Sequence, residues 1–342
     1  MKAIELLSTG KPARLAYTET RATPRPAANE VLLRVRAAAL NRVDQVLMMG
    51  YPGLTLEMPH VLGADFAGEV AELGTDVTGW SVGERVSVYP LVACGACALC
   101  KEERPNLCMH FQYFGMHRPG GFAEFVTVPA ENLCRIPDTL DFATAASAGV
   151  AGITALHALR ENTNLRRGDT ILVWGATGGV GVFLIQLARA AGLDVIATTR
   201  REEAIDTLRQ LGASHVFTGS PEAIAEQVRA VCPAGVDQVV DYVGPATFTT
   251  SHQLLKKGGT LTLCGILTGI ETTLSIHQTY FRHLRIQGVF LGTRGEYDEL
   301  LGMLARGQLD IPLAARVPLE RAADALQAFS GDGHIGKVVV EV

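Results

Sequence analysis

The chain lacks any run of apolar residues long enough to span a bilayer. Its longest weakly polar stretch, residues 142–159, is built of Ala, Gly, Ser and Thr and includes His157, a composition that suits a buried helix. It also lacks a basic cluster: none is longer than Arg166-Arg167 or Arg200-Arg201, and the formal net charge is −5. Nucleic acid and anionic membranes are therefore excluded as main partners. The opening MKAIELL is strand-like and has no charged-then-apolar signal pattern. No internal repeat or low-complexity segment is present. The expectation is a soluble, cytoplasmic protein. With 342 residues, 48% of them apolar, it has room for two domains and a sizeable core.

Of seven cysteines, four form the pattern Cys94-x2-Cys97-x2-Cys100-x7-Cys108 in a Gly- and charge-rich loop. Four closely spaced thiolates in an intracellular chain suit a tetrahedral Zn²⁺ of the closed, structural kind, with no position left for a catalytic water. A disulfide pair ranks below zinc because the compartment is reducing. An iron–sulfur cluster ranks below it because no redox-partner motif accompanies the loop. Cys134, Cys232 and Cys264 lie in apolar surroundings and read as core residues.

The most informative stretch is TILVWGATGGVGVFLIQLARAAGLDVIATTRR, residues 170–201. Apolar residues 171–174 read as a buried parallel strand. Glycines at 175, 178, 179 and 181 follow, and Val180, Leu184, Leu187, Ala188 and Ala191 then recur at helical spacing. A second strand starts at Val195. Strand, glycine turn, helix and strand make a dinucleotide-binding unit, in which Gly175, Thr177, Gly178, Gly179 and Val180 let the backbone approach a pyrophosphate at the helix start. An NAD site carries an acid about 20 residues past the glycines to hold the ribose 2′-hydroxyl. Here Thr199 stands in that place, followed by Arg200 and Arg201. A guanidinium binds a 2′-phosphate that a carboxylate would repel, so the sequence favours NADPH.

Residues 1 to about 135 read as β-rich. From about 145 to 290 strands alternate with helices: strands at 171–175, 194–198, 215–217, 237–241, 260–264 and 285–290, helices at 178–191, 203–211, 221–231 and 246–256. That order predicts an α/β fold with a Rossmann-type doubly wound parallel sheet. The tail, a helix at 296–306, a short helix at 319–329 and a strand at 337–342, has no core of its own and is expected to return to the N-terminal part.

The chain resembles the medium-chain dehydrogenase/reductase superfamily, in particular its quinone-oxidoreductase-like branch. The resemblance is carried, in order, by AAALNRVDQVLMMG (37–50), PHVLGADFAGEVAELG (59–74), GWSVGERV (79–86), the cysteine loop, GGFAEFVTVP (120–129), AGITALHAL (151–159), GATGGVG (175–181), VDQVVDYVG (236–244), LKKGGTLTLCG (255–265) and GKVVVEV (336–342). It implies a discontinuous GroES-like β-rich catalytic domain over 1–148 and 291–342, with a structural zinc lobe at 93–109. It further implies a Rossmann NADP-binding domain over 149–290, and an active site in the cleft between the two.

The departures from that family carry as much weight. Zinc alcohol dehydrogenases of the superfamily bind a catalytic metal through a Cys, a His and a second Cys or an acid. The matching positions here are Asn41, Ala64 (with Asp65 where a Glu normally follows) and Val150. Amide, methyl and isopropyl groups do not hold Zn²⁺, so the catalytic metal is expected to be missing and the structural one retained. His60 has no partner at ligand spacing and reads as a structural residue.

Hydride transfer to a carbonyl or enone builds negative charge on oxygen, which a zinc would absorb as a Lewis acid. Without it, hydrogen-bond donors must serve, and conjugated substrates that spread the charge need less help. In the resembling branch the Asn-x-x-Asp segment and a nearby Tyr line the nicotinamide pocket. This implies the Asn41 amide and the Tyr51 hydroxyl as donors, with Asp44 orienting Asn41 or nearby backbone, or capping a helix. Thr154 is placed like the threonine that contacts the nicotinamide half, and the backbone of Cys264 and Gly265 is placed to meet the carboxamide. Asp241 reads as a turn cap. The expected function is an NADPH-dependent reductase of quinones or α,β-unsaturated carbonyls; the alternatives are a zinc alcohol dehydrogenase, which the three missing ligands disfavour, and an NADPH-binding protein with a structural or regulatory role. The edge strand near 286–290 is expected to pair two copies into a homodimer.

Overall fold

The computed structural model describes residues 1–342 except 52 and 330–332, and the chain divides into two units, Met1–Ile153 with Thr293–Val342, and Thr154–Gly292.

The second unit is built on six parallel strands. Across the sheet they run His215–Phe217, Asp194–Thr198, Thr170–Val173, Val236–Asp241, Leu255–Leu263 and Arg285–Gly288. In chain order that is 3-2-1-4-5-6, the doubly wound arrangement, with its switch point between Thr170–Val173 and Val236–Asp241. The inner strands carry apolar side chains to the helices: on one face Leu172, Ile196, Val239 and Leu261 pack with Ile224, Val228 and Phe248, while the edge strand Arg285–Gly288 is largely exposed. The helix after the glycine turn, Gly179–Ala190, buries Val182, Phe183, Leu184, Ile185, Leu187 and Ala188.

The first unit is centred on a sheet in the order Leu313–Pro318, Lys337–Glu341, Glu30–Ala39, Asp65–Leu73, Arg85–Val88 and Leu133–Arg135, with Phe125–Pro129 also pairing to Glu30–Ala39. Its core joins Leu33, Val35, Phe66, Val70, Val86, Phe114, Phe122 and Val126. The last strand, Lys337–Glu341, runs antiparallel to Glu30–Ala39 with Val339 opposite Ala39. Ala39 in turn faces Asp65 on the next strand. These two registers bring the region of Asn41, the start of Asp65–Leu73 and the start of the last strand together.

The single helix read from residues 142–159 is two, Phe142–Ser147 and Val150–Arg160. At the break the chain meets Asp65, which is distant in sequence. A Cβ at Gly149 would lie 2.0 Å from Asp65 Oδ1. That same oxygen accepts the Val150 N–H at 2.7 Å and so satisfies a donor at the start of the second helix. Other elements shift by a few residues: the fifth strand begins at Leu255, through an irregularity near Val236, and a 3₁₀ turn at Glu202–Ala204 precedes the helix Ile205–Leu211.

Candidate active site and metal centre

Asn41 is the N-cap of the helix Arg42–Met49, in extended backbone. The carboxylate of Asp44, one turn on, accepts the Asn41 N–H through Oδ2 at 2.8 Å and the Gly63 N–H through Oδ1 at 3.1 Å. Asp44 is therefore both a cap and a tie between two loops. It is fully buried, and burial pushes its carboxyl up to about 7.

The Asn41 side chain is committed in full. Its amide nitrogen donates to Asp65 Oδ2 at 2.8 Å and to Ala39 O at 3.3 Å, and its amide oxygen accepts from Lys337 Nζ at 2.7 Å. Lys337 also pairs with Asp65 Oδ2 at 3.2 Å. Asn41, Asp44, Asp65 and Lys337 are exposed by only 7%, 0%, 1% and 3%. The expectation that the Asn41 amide offers a hydrogen to substrate oxygen is thus corrected: both hydrogens point to acceptors within the protein. The cationic group beside it is Lys337, which sequence reasoning did not single out. Lysine is the least informative residue to read as buried, and only the strand register, Val339 against Ala39, brings it opposite Asn41. Of the other positions that match metal ligands in zinc alcohol dehydrogenases, Ala64 is buried and Val150 contributes its backbone N–H to Asp65.

Tyr51 lies beyond the end of that helix, after Gly50. It is 41% exposed, and no hydrogen bond joins its hydroxyl to Asn41, Asp44 or any other described residue. His60 is buried, with Nε2 3.1 Å from Gly115 O, and burial lowers its pKa. It is a satisfied structural histidine, as read from its isolation in sequence.

In the second unit the glycine turn has the expected form. Gly175 sits at φ +63, its N–H donates to Thr198 Oγ1 at 3.1 Å, and the Gly178 N–H closes the turn on Gly175 O at 3.0 Å. Gly178 caps the helix Gly179–Ala190, whose first N–H groups, from Gly179 and Val180 onward, have no helical partner. Thr177 is buried beside them. At Gly181 a side chain is excluded, since a Cβ would lie 2.5 Å from Ala176 O. This is a cradle that an anionic group fits, with unpaired N–H donors and no side chain in the way.

At the end of the second strand, Thr199 is buried and its hydroxyl accepts the Arg201 N–H at 3.0 Å. Arg200 is exposed. Arg201 is anchored by Nε to Glu203 Oε1 at 2.8 Å, which leaves its Nη1 buried with no partner. Thr154 is buried in the helix Val150–Arg160. Cys264 and Gly265 follow the fifth strand, and burial pushes the Cys264 thiol up to about 12. Asp241 caps a turn: it accepts from Val243 N, Gly244 N, Thr247 Oγ1 and Ser251 Oγ.

The cysteine loop closes on itself. The Sγ atoms of Cys94, Cys97, Cys100 and Cys108 all lie within 4.8 Å of one another, with Cys97–Cys100 at 3.4 Å, Cys94–Cys100 at 3.9 Å and Cys97–Cys108 at 4.0 Å. Four sulfurs at the Zn–S distance of about 2.3 Å around a tetrahedral ion stand about 3.8 Å apart. Backbone N–H groups of Cys97 and His110 point at Cys94 Sγ and Cys108 Sγ, as thiolate ligands require. The donor set and spacing fit Zn²⁺, and no other such cluster occurs among the described residues.

Comparison with known proteins agrees with this geometry. Residues 27–138 match the family described as alcohol dehydrogenase GroES-like domain, and residues 179–306 match zinc-binding dehydrogenase. An alcohol dehydrogenase of Geobacillus stearothermophilus is 30% identical, with 100% of both chains covered. A quinone oxidoreductase of Mus musculus is 28% identical, covering 99% of this chain and 97% of its own. A cobalt- and zinc-bound thermostable alcohol dehydrogenase from Pyrobaculum aerophilum superposes with a TM-score of 0.88 at 30% identity, over 100% of this chain and 99% of its own.

Proposed function

We propose, for a chain that belongs to the medium-chain dehydrogenase/reductase superfamily and is an oxidoreductase of its zinc-type branch, that it reduces quinones or α,β-unsaturated carbonyls with NADPH and without a catalytic metal. One observation carries the reading. At the positions where zinc alcohol dehydrogenases hold their metal, this chain places Asn41, Ala64 and Val150, and the neighbouring Asp65 is already neutralised by the buried Lys337 ammonium. That site offers a cation neither a thiolate nor an imidazole, and both nearby carboxylates are engaged, Asp65 by Lys337 and Asp44 by the N–H groups of Asn41 and Gly63.

Bound NADPH supplies the hydride. The residues of the chain do the rest. Asn41 and Asp44, fixed by Lys337, Asp65 and the Gly63 N–H, give a rigid polar floor. Tyr51, with its hydroxyl unengaged among the described residues, is the donor for the substrate oxygen as charge builds there; one such donor is typically worth about 10²- to 10³-fold in rate. A conjugated substrate, which delocalises that charge, suits a site with few donors.

The choice of NADPH over NADH is supported by the absence of an acid at Thr199 and by the spare donor at Arg201 Nη1. The cysteine loop is assigned one structural zinc. A homodimer is supported by the edge strand Arg285–Gly288 and by exposed Ile270, Ile276, Tyr280, Phe281 and Phe290 around it.

The test is oxidation of NADPH, with NADH in parallel, against a panel of quinones, enones, aldehydes and simple ketones. Turnover with the first two classes and preference for NADPH is expected. Alcohol oxidation dependent on a second metal ion would instead favour the alcohol dehydrogenase reading, which the Geobacillus relative represents. Tight NADPH binding with no turnover would favour a binding role.

A further inference from the structure

Tyr242 follows directly on the strand Val236–Asp241, and nothing in the site described so far uses it. That strand pairs with Thr170–Val173, Val240 opposite Val173, so the two strand ends lie side by side at the switch point of the sheet. Tyr242 is laid across the glycine turn there. Its hydroxyl donates to the carbonyl of Gly175, the same carbonyl that accepts the Gly178 N–H. The Gly181 N–H, inside the first turn of the helix, faces the phenol oxygen.

The ring occupies the space the glycines leave. A Cβ at Gly175 would lie 3.3 Å from the Tyr242 ring, and one at Gly178 would lie 3.5 Å from its hydroxyl. The backbone of the residue is closer still to the second glycine position expected at the cofactor: a Cβ at Gly265 would lie 2.5 Å from the Tyr242 carbonyl oxygen. Asp241 pins the backbone that follows, accepting the N–H groups of Val243 and Gly244 at 2.9 and 3.0 Å.

An anion at a helix N-terminus is drawn by free N–H groups and repelled by carbonyl oxygens turned towards it. The Gly175 carbonyl belongs to the turn that the anion must approach. A hydroxyl donated to it covers part of its negative charge. Burial raises the phenol well above its ordinary value, so the group stays neutral and adds no charge of its own.

We propose that Tyr242 is a positioning residue for the dinucleotide pyrophosphate, acting through the Gly175 carbonyl to hold the glycine turn in a shape and polarity that accept two phosphates. This rests on the nucleotide reading given above. It adds that the third wall of the phosphate turn is a side chain from the neighbouring strand end.

The experiment compares two ligands by calorimetry on the full chain: NADPH, which carries a pyrophosphate, and 2′-AMP, which carries the 2′-phosphate alone. In Tyr242→Phe the Kd for NADPH should rise about tenfold, the scale of one hydrogen bond, while that for 2′-AMP stays within about twofold. In Arg201→Ala both should weaken, which shows that the 2′-AMP measurement can report a loss. Unchanged NADPH affinity in Tyr242→Phe overturns the proposal and leaves the nucleotide reading standing. Equal loss for both ligands with a lowered Tm assigns Tyr242 to the scaffold and also overturns it. A wild-type chain that binds neither ligand removes both.

Discussion

At the residue scale, the buried quartet of Asn41, Asp44, Asp65 and Lys337 governs behaviour. Removing one member of a buried ion pair costs about 3–5 kcal/mol, because the remaining charge is left without a partner. Lys337→Met should therefore destabilise the chain by that order in urea unfolding, and the double variant with Asp65→Asn should recover much of the loss. Additive losses would mean that the pair is not coupled. Asp44 gives a dependence on pH. Its carboxyl is pushed from 3.8 up to about 7 in the folded chain, so the folded state holds its proton more tightly than the unfolded state does. Its contribution to stability is complete below about pH 4 and is lost as pH rises through about 7. Unfolding measured across that window should show stability falling with pH through this group, and Asp44→Asn should remove that component of the slope. A slope unchanged in Asp44→Asn would contradict the assignment.

At the scale of elements, the cysteine loop and the glycine turn were the most legible parts of the sequence. Each is local: its residues lie within about 20 positions of one another, so spacing alone reports geometry. The quartet was not legible, because it depends on register between strands some 300 residues apart. Asn41 and Asp44 could be named from their motif, yet the bonding that removes Asn41 as a donor requires Lys337, invisible until the last strand is paired. The break at Gly149 was missed for the same reason, since its cause is the distant Asp65. The locality of the cysteine loop has a testable consequence. Cys97→Ser should abolish zinc in the purified protein and lower its Tm, while NADPH affinity, which belongs to the glycine turn, changes less than about twofold. Loss of nucleotide binding along with the metal would show that the two elements are not separable.

At the scale of the whole molecule, a parallel doubly wound sheet follows from the alternation of strands and helices, its order 3-2-1-4-5-6 comes from the strand pairing, and the return of the tail to the first sheet follows from its having no core alone. No helix among the described residues is long and apolar enough to cross a membrane. The exposed apolar side chains around Arg285–Gly288 lead to the expectation of a dimer of 36.5 kDa chains in light scattering; a mass of one chain would reject it. Activity raises the sharper question, because relatives that share this architecture include both alcohol dehydrogenases and a quinone oxidoreductase. What separates the two chemistries here is whether a second cation is present. The decisive measurement is therefore the zinc content of protein that is turning over NADPH and an enone. One zinc per chain, held by Cys94, Cys97, Cys100 and Cys108, is the expected count; two per chain, with activity lost on removal of the second, would contradict reduction without a catalytic metal.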